Sequence, residues 1–490
     1  MVEVASRIRR SPENAIVLVR PKAEGFAESA AMLLDRTIFF VLLVMIAVLA
    51  VPYGAVEAWW ESIFECTVFV LTTLWIVEGL LRGSWRVGDV RLFAPLLALG
   101  VFAWLQTRSW QGATADAGIQ SQTWSAISAD PYETQRFVLR LLALILTGAL
   151  LQSHVYNRRR LVSLINIVIF TAVASAIFGI LRQTAQHEDG FLLAYLRPGE
   201  GYGQFINRNH FAFLMEMALG LALGLVVGRG AHRDRSLIYI AAMIPLWTAL
   251  VLSNSRGGIG SLLSQVLFMT LMLGFVRGHS ESDQSEGFSS RLARIGQTVV
   301  ARFAIVGCLV AVMGVGIIWM GGDPLANRLE TLPTDIRAAN PEERASQSRV
   351  EIWLATWRLI QAHPILGSGF AAYGVAVPQY HDSSGEITPQ QAHNDYLELL
   401  ASGGIIAGLI GLWFVTVLIK RIRRELQSAE ALRRSACFGA VLGIFGVATH
   451  SLFDFGLHIT VNAIVFIALV VIATLDWKAM EWVPLKDRLR

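Results

Sequence analysis

Long apolar runs follow one another along almost the whole chain, and short polar segments separate them. An α-helix needs about 20 predominantly apolar residues to cross the roughly 30 Å hydrocarbon core of a bilayer. Segments that approach this length lie at residues 37–56, 62–81, 92–105, 137–152, 161–181, 211–227, 237–252, 259–275, 303–320, 405–419, 437–452 and 459–475. The pattern predicts an all-α fold, a polytopic transmembrane helix bundle of about 12 spans.

Composition and charge agree with a membrane protein and give it an orientation. The chain is 54% hydrophobic and only 16% charged, whereas soluble domains carry roughly 25% charged residues. Most of the 41 Lys and Arg residues fall in alternate loops, which by the positive-inside rule places both termini in the cytoplasm. No short apolar run with a cleavage site precedes the first span, so we expect this helix to be retained in the inner membrane.

The predicted spans divide the chain into five parts. Residues 1–36 form a cytoplasmic N-terminal segment, 37–320 carry spans one to nine, 321–404 form a large external loop, 405–475 carry spans ten to twelve, and 476–490 form a cytoplasmic tail. A loop as long as 321–404 is usually functional. Apolar residues recur there at helical spacing between Pro341 and Pro364, which predicts an amphipathic helix.

Several kinds of chemistry lack the residues they need. Cys66, Cys308 and Cys437 all lie in apolar runs, without the spacing of a disulfide framework or a zinc site. The chain has no P-loop, no H-E-x-x-H helix and no Asp-x-Asp pair, which disfavours nucleotide hydrolysis and a metal-dependent transferase. Two histidine pairs, His381 with His393 and His450 with His458, match no helical ligand spacing, so we expect no metal site.

Arginines on the external side are the candidates for binding an anionic substrate. Arg256 lies in the Ser- and Gly-rich turn 253–258 between spans seven and eight, and Arg349 begins the helical part of the large loop. A guanidinium group matches phosphate oxygens. Alternatively, Arg256 lies at the membrane interface and only extends its charged group into water. For Arg349 the alternative is an ordinary charged side chain on the protein surface.

His393 is the candidate general base, because imidazole titrates near neutral pH. Asn394, Asp395 and Tyr396 follow it where the large loop returns to the bilayer. A histidine that only caps or packs span ten is the alternative.

A second polar cluster, Asn207, Arg208 and His210, opens span six. It could bind a sugar or a phosphate, although capping by asparagine explains it equally well. Carboxylates inside spans are expected to be paired or functional. They are Glu65, Glu78 and Glu216, with His450 and Asp454 as weaker candidates near the end of span eleven.

Three segments together resemble the bacterial O-antigen ligase and polymerase superfamily. They are the turn 253–258, Arg349 with Trp353 and the turn 364–369, and 393–397 followed by Gly403 and Gly404. The resemblance extends over residues 200 to 420. The segment 207–211 is also similar to one in exopolysaccharide-type members, which keeps polymerisation open beside ligation.

The resemblance implies an enzyme that moves a glycan from undecaprenyl diphosphate to an acceptor hydroxyl on the periplasmic face. The acceptor would be the lipid A core or a growing polysaccharide, and the displacement would be inverting, without metal, nucleotide or other cofactor. Partners would be membrane lipids and other polysaccharide assembly proteins, and no nucleic acid. We assign His393, Arg256 and Arg349 as catalytic. Substrate-binding residues would be Asn207, Arg208, His210, Asn394, Asp395 and Tyr396.

A multi-pass transporter or flippase of lipid-linked oligosaccharide is the alternative function. Such a protein predicts two similar halves and binding residues near the middle of the bilayer. Here the candidate residues gather at one face, around one large loop, which favours the enzyme.

Overall fold

The computed structural model describes residues 25–109, 124, 126–185, 201–230, 233–277, 349–381, 389–476 and 481–484. The helices, in chain order, are α1 (Phe26–Val48), α2 (Ala58–Arg82), α3 (Ala94–Gln106), α4 (Pro131–His154), α5 (Arg158–Ala185), α6 (Arg208–Val227), α7 (Arg233–Leu252), α8 (Arg256–Arg277), α9 (Arg349–Ala362), α10 (Tyr373–Ala376), α11 (Asp395–Leu426), α12 (Ala431–His450) and α13 (Thr460–Thr474). Single 3-10 turns lie at Val90–Leu92, Val377–Tyr380 and Gly456–His458.

Within the described residues, 8 helices are long and apolar enough to cross a membrane, namely α1, α2, α4, α5, α6, α7, α11 and α12. The helices α3 and α13 are shorter and also apolar. The predicted all-α polytopic bundle is therefore confirmed. The predicted span at 303–320, the start of the large loop and Pro341 lie outside the described residues.

A small antiparallel ribbon joins two distant parts of the chain, which the apolar pattern did not indicate. Strand β1 (Ser84–Val87) follows α2, and strand β2 (Glu481–Pro484) lies in the predicted cytoplasmic tail. The two strands pair in the register Ser84 to Pro484. Part of the tail is thus ordered against the end of α2.

Glycines bring α6 and α12 into close contact at the centre of the bundle. A Cβ atom on Gly224 would lie 2.1 Å from the Cα of Gly439, and one on Gly220 would lie 2.5 Å from the backbone nitrogen of Gly443. Small residues at such contacts let membrane helices approach closely. The packing fixes the start of α6 against the end of α12, and both of these ends carry polar residues.

The helix α9 packs on α11 through Ile352, Ala355, Thr356 and Leu359, which are buried. It ends before Pro364, as its pattern predicts. The helix α11 begins at Asp395, ahead of the predicted span at 405–419, and its helical dihedrals break at Gly404 (φ 57°, ψ −158°). Two helical stretches therefore meet at a kink at Gly404.

Candidate active site

Asp454 is the centre of a charged cluster in the loop that follows α12. Its side chain is only 1% exposed. One carboxylate oxygen, Oδ1, lies 3.4 Å from Nδ1 of His393 and accepts the backbone N–H of Phe455 at 2.9 Å. The other oxygen, Oδ2, lies 3.6 Å from a guanidinium nitrogen of Arg349. Asp454 thus brings together two of the residues that the sequence predicts as catalytic.

The start of α6 also contacts Asp454, through both carboxylate oxygens. The side-chain amide of Asn209 donates a hydrogen bond to Oδ2 of Asp454, and Nε2 of His210 lies 3.9 Å from Oδ1. The side-chain oxygen of Asn209 accepts a hydrogen bond from the hydroxyl of Ser255 at 2.8 Å. Asn207 caps α6 by accepting the backbone N–H of Asn209 at 2.8 Å. Three segments that are far apart in sequence therefore meet at one carboxylate.

The surroundings of Asp454 keep its carboxylate ionised. Burial raises the pKa of an acid, but the pKa of Asp454 is well below its usual range, because His393, His210 and Arg349 outweigh the effect of burial. An acid with so low a pKa stays negatively charged at neutral pH. It can orient an imidazole and balance a positive charge that forms on it.

The geometry of His393 suits a base that a substrate can reach. The side chain is 32% exposed, although its partner Asp454 is buried. The backbone of His393 has φ +49°, a left-handed conformation that is uncommon outside glycine and often lies at functional sites. With a proton on Nδ1 facing Asp454, the basic nitrogen is Nε2.

Arg256 and Arg208 each begin a helix at this end of the bundle. Arg256 is the first residue of α8 and follows Ser255 directly, and its side chain is half-buried. Arg208, also half-buried, is the first residue of α6, beside the capping residue Asn207. Because Ser255 contacts Asn209, the structure brings both helix starts to the Asp454 cluster.

Asn394 and Tyr396 attach the start of α11 to the end of α12. The Asn394 oxygen accepts the backbone N–H groups of Tyr396 and Leu397, each at 3.0 Å, and caps the helix. Its amide donates to the carbonyl of Leu452 at 2.9 Å. The Tyr396 hydroxyl donates to the carbonyl of Ala448 at 2.7 Å, yet this residue is 44% exposed. Both side chains therefore hold the backbone beside His393.

Asp395 belongs to a neighbouring cluster of titratable groups. It accepts a hydrogen bond from the hydroxyl of Ser451 at 2.6 Å. Nε2 of His458 lies 3.6 Å from oxygens of both Asp395 and Glu398. Burial lowers the pKa of His458 to about 4, so this ring is neutral at physiological pH. The ring of Phe455 separates His458 from His393.

The central position of Asp454 does not follow from the sequence. The sequence marks Asp454 only as a weaker candidate, and His458 only as half of a histidine pair. The available signal was an acidic residue in the short link between two apolar runs. That signal does not show which groups meet the carboxylate, since His393, Arg349 and Asn209 lie far away in the sequence.

The structure offers one buried group that could hold a metal among the described residues. Asp35, Glu78 and His154 have ligand atoms within 4.8 Å of one another. They lie near the opposite end of α4 from Pro131, away from Asp454. Arg160 pairs with Asp35 and Arg82 pairs with Glu78, so cationic side chains already balance both carboxylates. The expectation of a metal-free reaction stays a prediction.

The fold and the cluster define a polytopic membrane protein with a charged site at one end of its helix bundle. Residues 241–412 match the family described as O-Antigen ligase. This stretch includes α8 with Arg256, α9 with Arg349 and the segment that carries His393. This match supports the resemblance to the O-antigen ligase and polymerase superfamily that the motifs indicate. No curated protein matches the chain.

Proposed function

We propose that the protein transfers a glycan from undecaprenyl diphosphate to an acceptor hydroxyl at the periplasmic face of the bacterial inner membrane. The acceptor is the lipid A core in a ligase, or the end of another lipid-linked chain in a polymerase. One observation carries the proposal: Asp454 holds His393 and Arg349 on its two oxygens, at 3.4 Å and 3.6 Å. This arrangement supports a base and a phosphate-binding cation that act in one site.

His393 is the general base in this proposal. Its Nε2 accepts the proton of the acceptor hydroxyl while the hydroxyl oxygen forms a bond to the anomeric carbon. The bond from that carbon to the diphosphate oxygen breaks on the opposite side, and the electron pair leaves with the diphosphate. Such a single displacement inverts the anomeric configuration. Asp454 orients the ring and stabilises the imidazolium that forms.

Arg349 and Arg256 bind the donor diphosphate in this proposal, one from α9 and one from the start of α8. The side chain of Arg349 is 44% exposed, and a guanidinium has five N–H donors, more than one carboxylate oxygen accepts. Charge that develops on the leaving diphosphate is stabilised where such donors are already in place. Arg208, Asn207 and His210 extend this side of the site toward the phosphates or the first sugar.

The acceptor approaches from the start of α11. Asn394 and Asp395 hold the backbone beside His393, and the exposed ring of Tyr396 offers a surface on which a sugar can stack. The lipid parts of the donor and of the acceptor stay in the bilayer. Both termini of the protein lie in the cytoplasm. Other polysaccharide assembly proteins supply the donor and receive the product.

A reconstituted reaction tests the function. Purified protein in lipid nanodiscs is incubated with lipid-linked glycan extracted from a strain that lacks the gene, together with lipid A core or further lipid-linked glycan. We expect product without ATP, without an ion gradient and in the presence of EDTA. A requirement for ATP or an ion gradient would favour the transporter, and loss of product with EDTA, restored by magnesium, would contradict the metal-free displacement.

The surface glycan of the deletion strain separates the two branches. Loss of a ligase leaves long polymer on the carrier lipid, whereas loss of a polymerase leaves single repeats. An unchanged surface glycan in the deletion strain would count against both a ligase and a polymerase.

A further inference from the structure

Glu216 and His450 form a buried acid–histidine pair next to the loop that carries Asp454. The proposed chemistry assigns no role to either residue. Glu216, in the middle of α6, is 0% exposed, and His450, the last residue of α12, is 1% exposed. Nδ1 of His450 lies 2.6 Å from an oxygen of Glu216. The ring of Phe213 stacks on the ring of His450 with the centroids 4.1 Å apart. An ionisable pair inside membrane-spanning helices is costly and therefore points to a function.

The other ring nitrogen of His450 faces the turn that carries Arg256. This atom, Nε2, is buried and has no hydrogen-bond partner among the described residues. A Cβ atom on Gly257 would lie only 2.4 Å from it. Because Glu216 holds one edge of the ring and Phe213 covers one face, the ring cannot give way at low cost. The backbone at Gly257 therefore rests directly on the His450 ring.

The backbone of His450 also supports the loop that carries Asp454. The His450 carbonyl accepts the N–H of Phe453 at 2.8 Å and the N–H of Asp454 at 3.1 Å. One residue thus contacts the Arg256 turn through its side chain and the Asp454 loop through its main chain. Any movement of the ring changes the separation of these two parts of the site.

We propose that Glu216 and His450 form a positioning pair that sets the distance between the Arg256 turn and the Asp454 cluster. This inference rests on the proposed function, since that distance is the width available to the donor diphosphate. Glu216 fixes the His450 ring, and the ring fixes the position of the Gly257 backbone. The position of the first turn of α8 depends in turn on Gly257. Neither residue contacts the substrate.

The expected effect of disturbing the pair is a loss of donor affinity without a loss of fold. Misplacement of a binding group by about 1 Å can cost as much as 10²-fold in activity. A methyl group at position 257 displaces the turn, because the His450 ring occupies the space that this group needs. We therefore expect Gly257→Ala to bind undecaprenyl diphosphate at least tenfold more weakly than the unmodified protein.

The experiment measures binding of undecaprenyl diphosphate to the full-length protein in nanodiscs, with thermal unfolding as the measure of folding. Gly260→Ala is the matched control, because it lies in the same helix and a Cβ atom there meets nothing within 4 Å. His450→Asn retains an N–H donor for Glu216 and removes the ring above Gly257. The double variant Gly257→Ala with His450→Asn should bind within threefold of His450→Asn alone.

This rescue separates positioning from general destabilisation. Equal affinities of Gly257→Ala and Gly260→Ala, or a double variant more than threefold weaker than His450→Asn alone, would overturn the inference. Glu216 provides an independent test should Gly257→Ala not fold. Glu216→Gln should bind within threefold of the unmodified protein and Glu216→Ala at least fivefold more weakly, and equal binding by the two would also overturn it.

Arg256→Ala distinguishes this inference from the proposed function. If Arg256→Ala retains full affinity for undecaprenyl diphosphate, the proposed donor contact is wrong. If Arg256→Ala loses affinity while Gly257→Ala does not, the donor contact stands and the positioning pair alone is wrong.

Discussion

Nδ1 of His393 lies 3.4 Å from Oδ1 of Asp454, and this contact joins the loop before α11 to the loop after α12. Trp353 of α9 steadies the same region, because its indole N–H donates to the carbonyl of Ala392 at 3.1 Å. A buried carboxylate beside an accessible imidazole can stabilise the positive charge that forms on the ring as it accepts a proton.

Removing the charge of Asp454 should slow turnover while the protein stays folded. Asp454→Asn retains the size of the side chain but no longer stabilises an imidazolium on His393. General-base assistance typically contributes about 10² to 10⁴ in rate, so we expect a loss of about 10²-fold or more in product formation. Glu28→Gln, at an exposed acid in the first turn of α1, is the control and should react normally. An Asp454→Asn protein within threefold of the unmodified rate would exclude this role.

Arginine should not be replaceable by lysine at the two proposed diphosphate contacts. Arg256→Lys and Arg349→Lys retain the charge but lose the two-pronged donor geometry. Such contacts contribute on the order of 2 to 4 kcal/mol to transition-state stabilisation, so each alanine variant should lose about 30- to 1000-fold in product formation and each lysine variant should recover only part of it. Arg358→Ala, on the exposed side of α9, serves as the comparison. Full activity in the folded alanine variants would refute both assignments.

The kink in α11 should require glycine at position 404. Gly404 has φ +57°, and a Cβ atom there would lie 2.3 Å from the carbonyl oxygen of Ile365. This backbone conformation, open essentially only to glycine, costs about 1 to 3 kcal/mol for other residues, and the clash with backbone adds to it. Gly404→Ala should therefore lower the thermal unfolding temperature by several degrees or prevent folding. At Gly411, where the nearest atom is a flexible leucine methyl at 3.3 Å, alanine should be tolerated. Equal unfolding temperatures for the two variants would show that the kink is not needed.

His458 should make the protein sensitive to acid. Burial is the main cause that lowers its pKa from 6.5 to about 4, and Arg140 and His210 add to it. As the pH falls below about 6.5 the unfolded chain binds this proton first, so stability is lost between about pH 6.5 and pH 4. Unfolding temperatures at pH 7.5 and pH 5 should differ less for His458→Asn than for the unmodified protein. An equal difference in both would contradict the low pKa.

The sequence was sufficient for the bundle, because apolar length and helical spacing decide which segments cross a bilayer or lie along it. It indicated α9 and its end before Pro364. The sequence did not indicate that α11 begins at Asp395, because the residues between Asp395 and Gly404 are too polar and too few to predict a membrane span.

The sequence indicated the arginines and the histidine of the site, but not the carboxylate at its centre. Arg256 stands out beside a glycine-rich turn, Arg349 at the start of a predicted helix, and His393 where the large loop returns to the bilayer. Asp454 becomes important only when α6 and α12 pack through their glycines and bring Asn209 and His210 to the loop after α12. The pairing of β1 with β2 depends in the same way on contacts between distant segments, which no local pattern records.

The most direct test of the account is turnover by His393→Gln in nanodiscs, with the anomeric configuration of the product determined by NMR spectroscopy. The donor is the lipid-linked glycan from the deletion strain, and thermal unfolding and binding of undecaprenyl diphosphate are measured on the same samples. We expect the unmodified protein to invert the configuration, and His393→Gln to bind undecaprenyl diphosphate within threefold of normal while it loses at least about 10²-fold in turnover. Near-normal turnover in the folded variant, or a product that retains the configuration of the donor, would contradict the account.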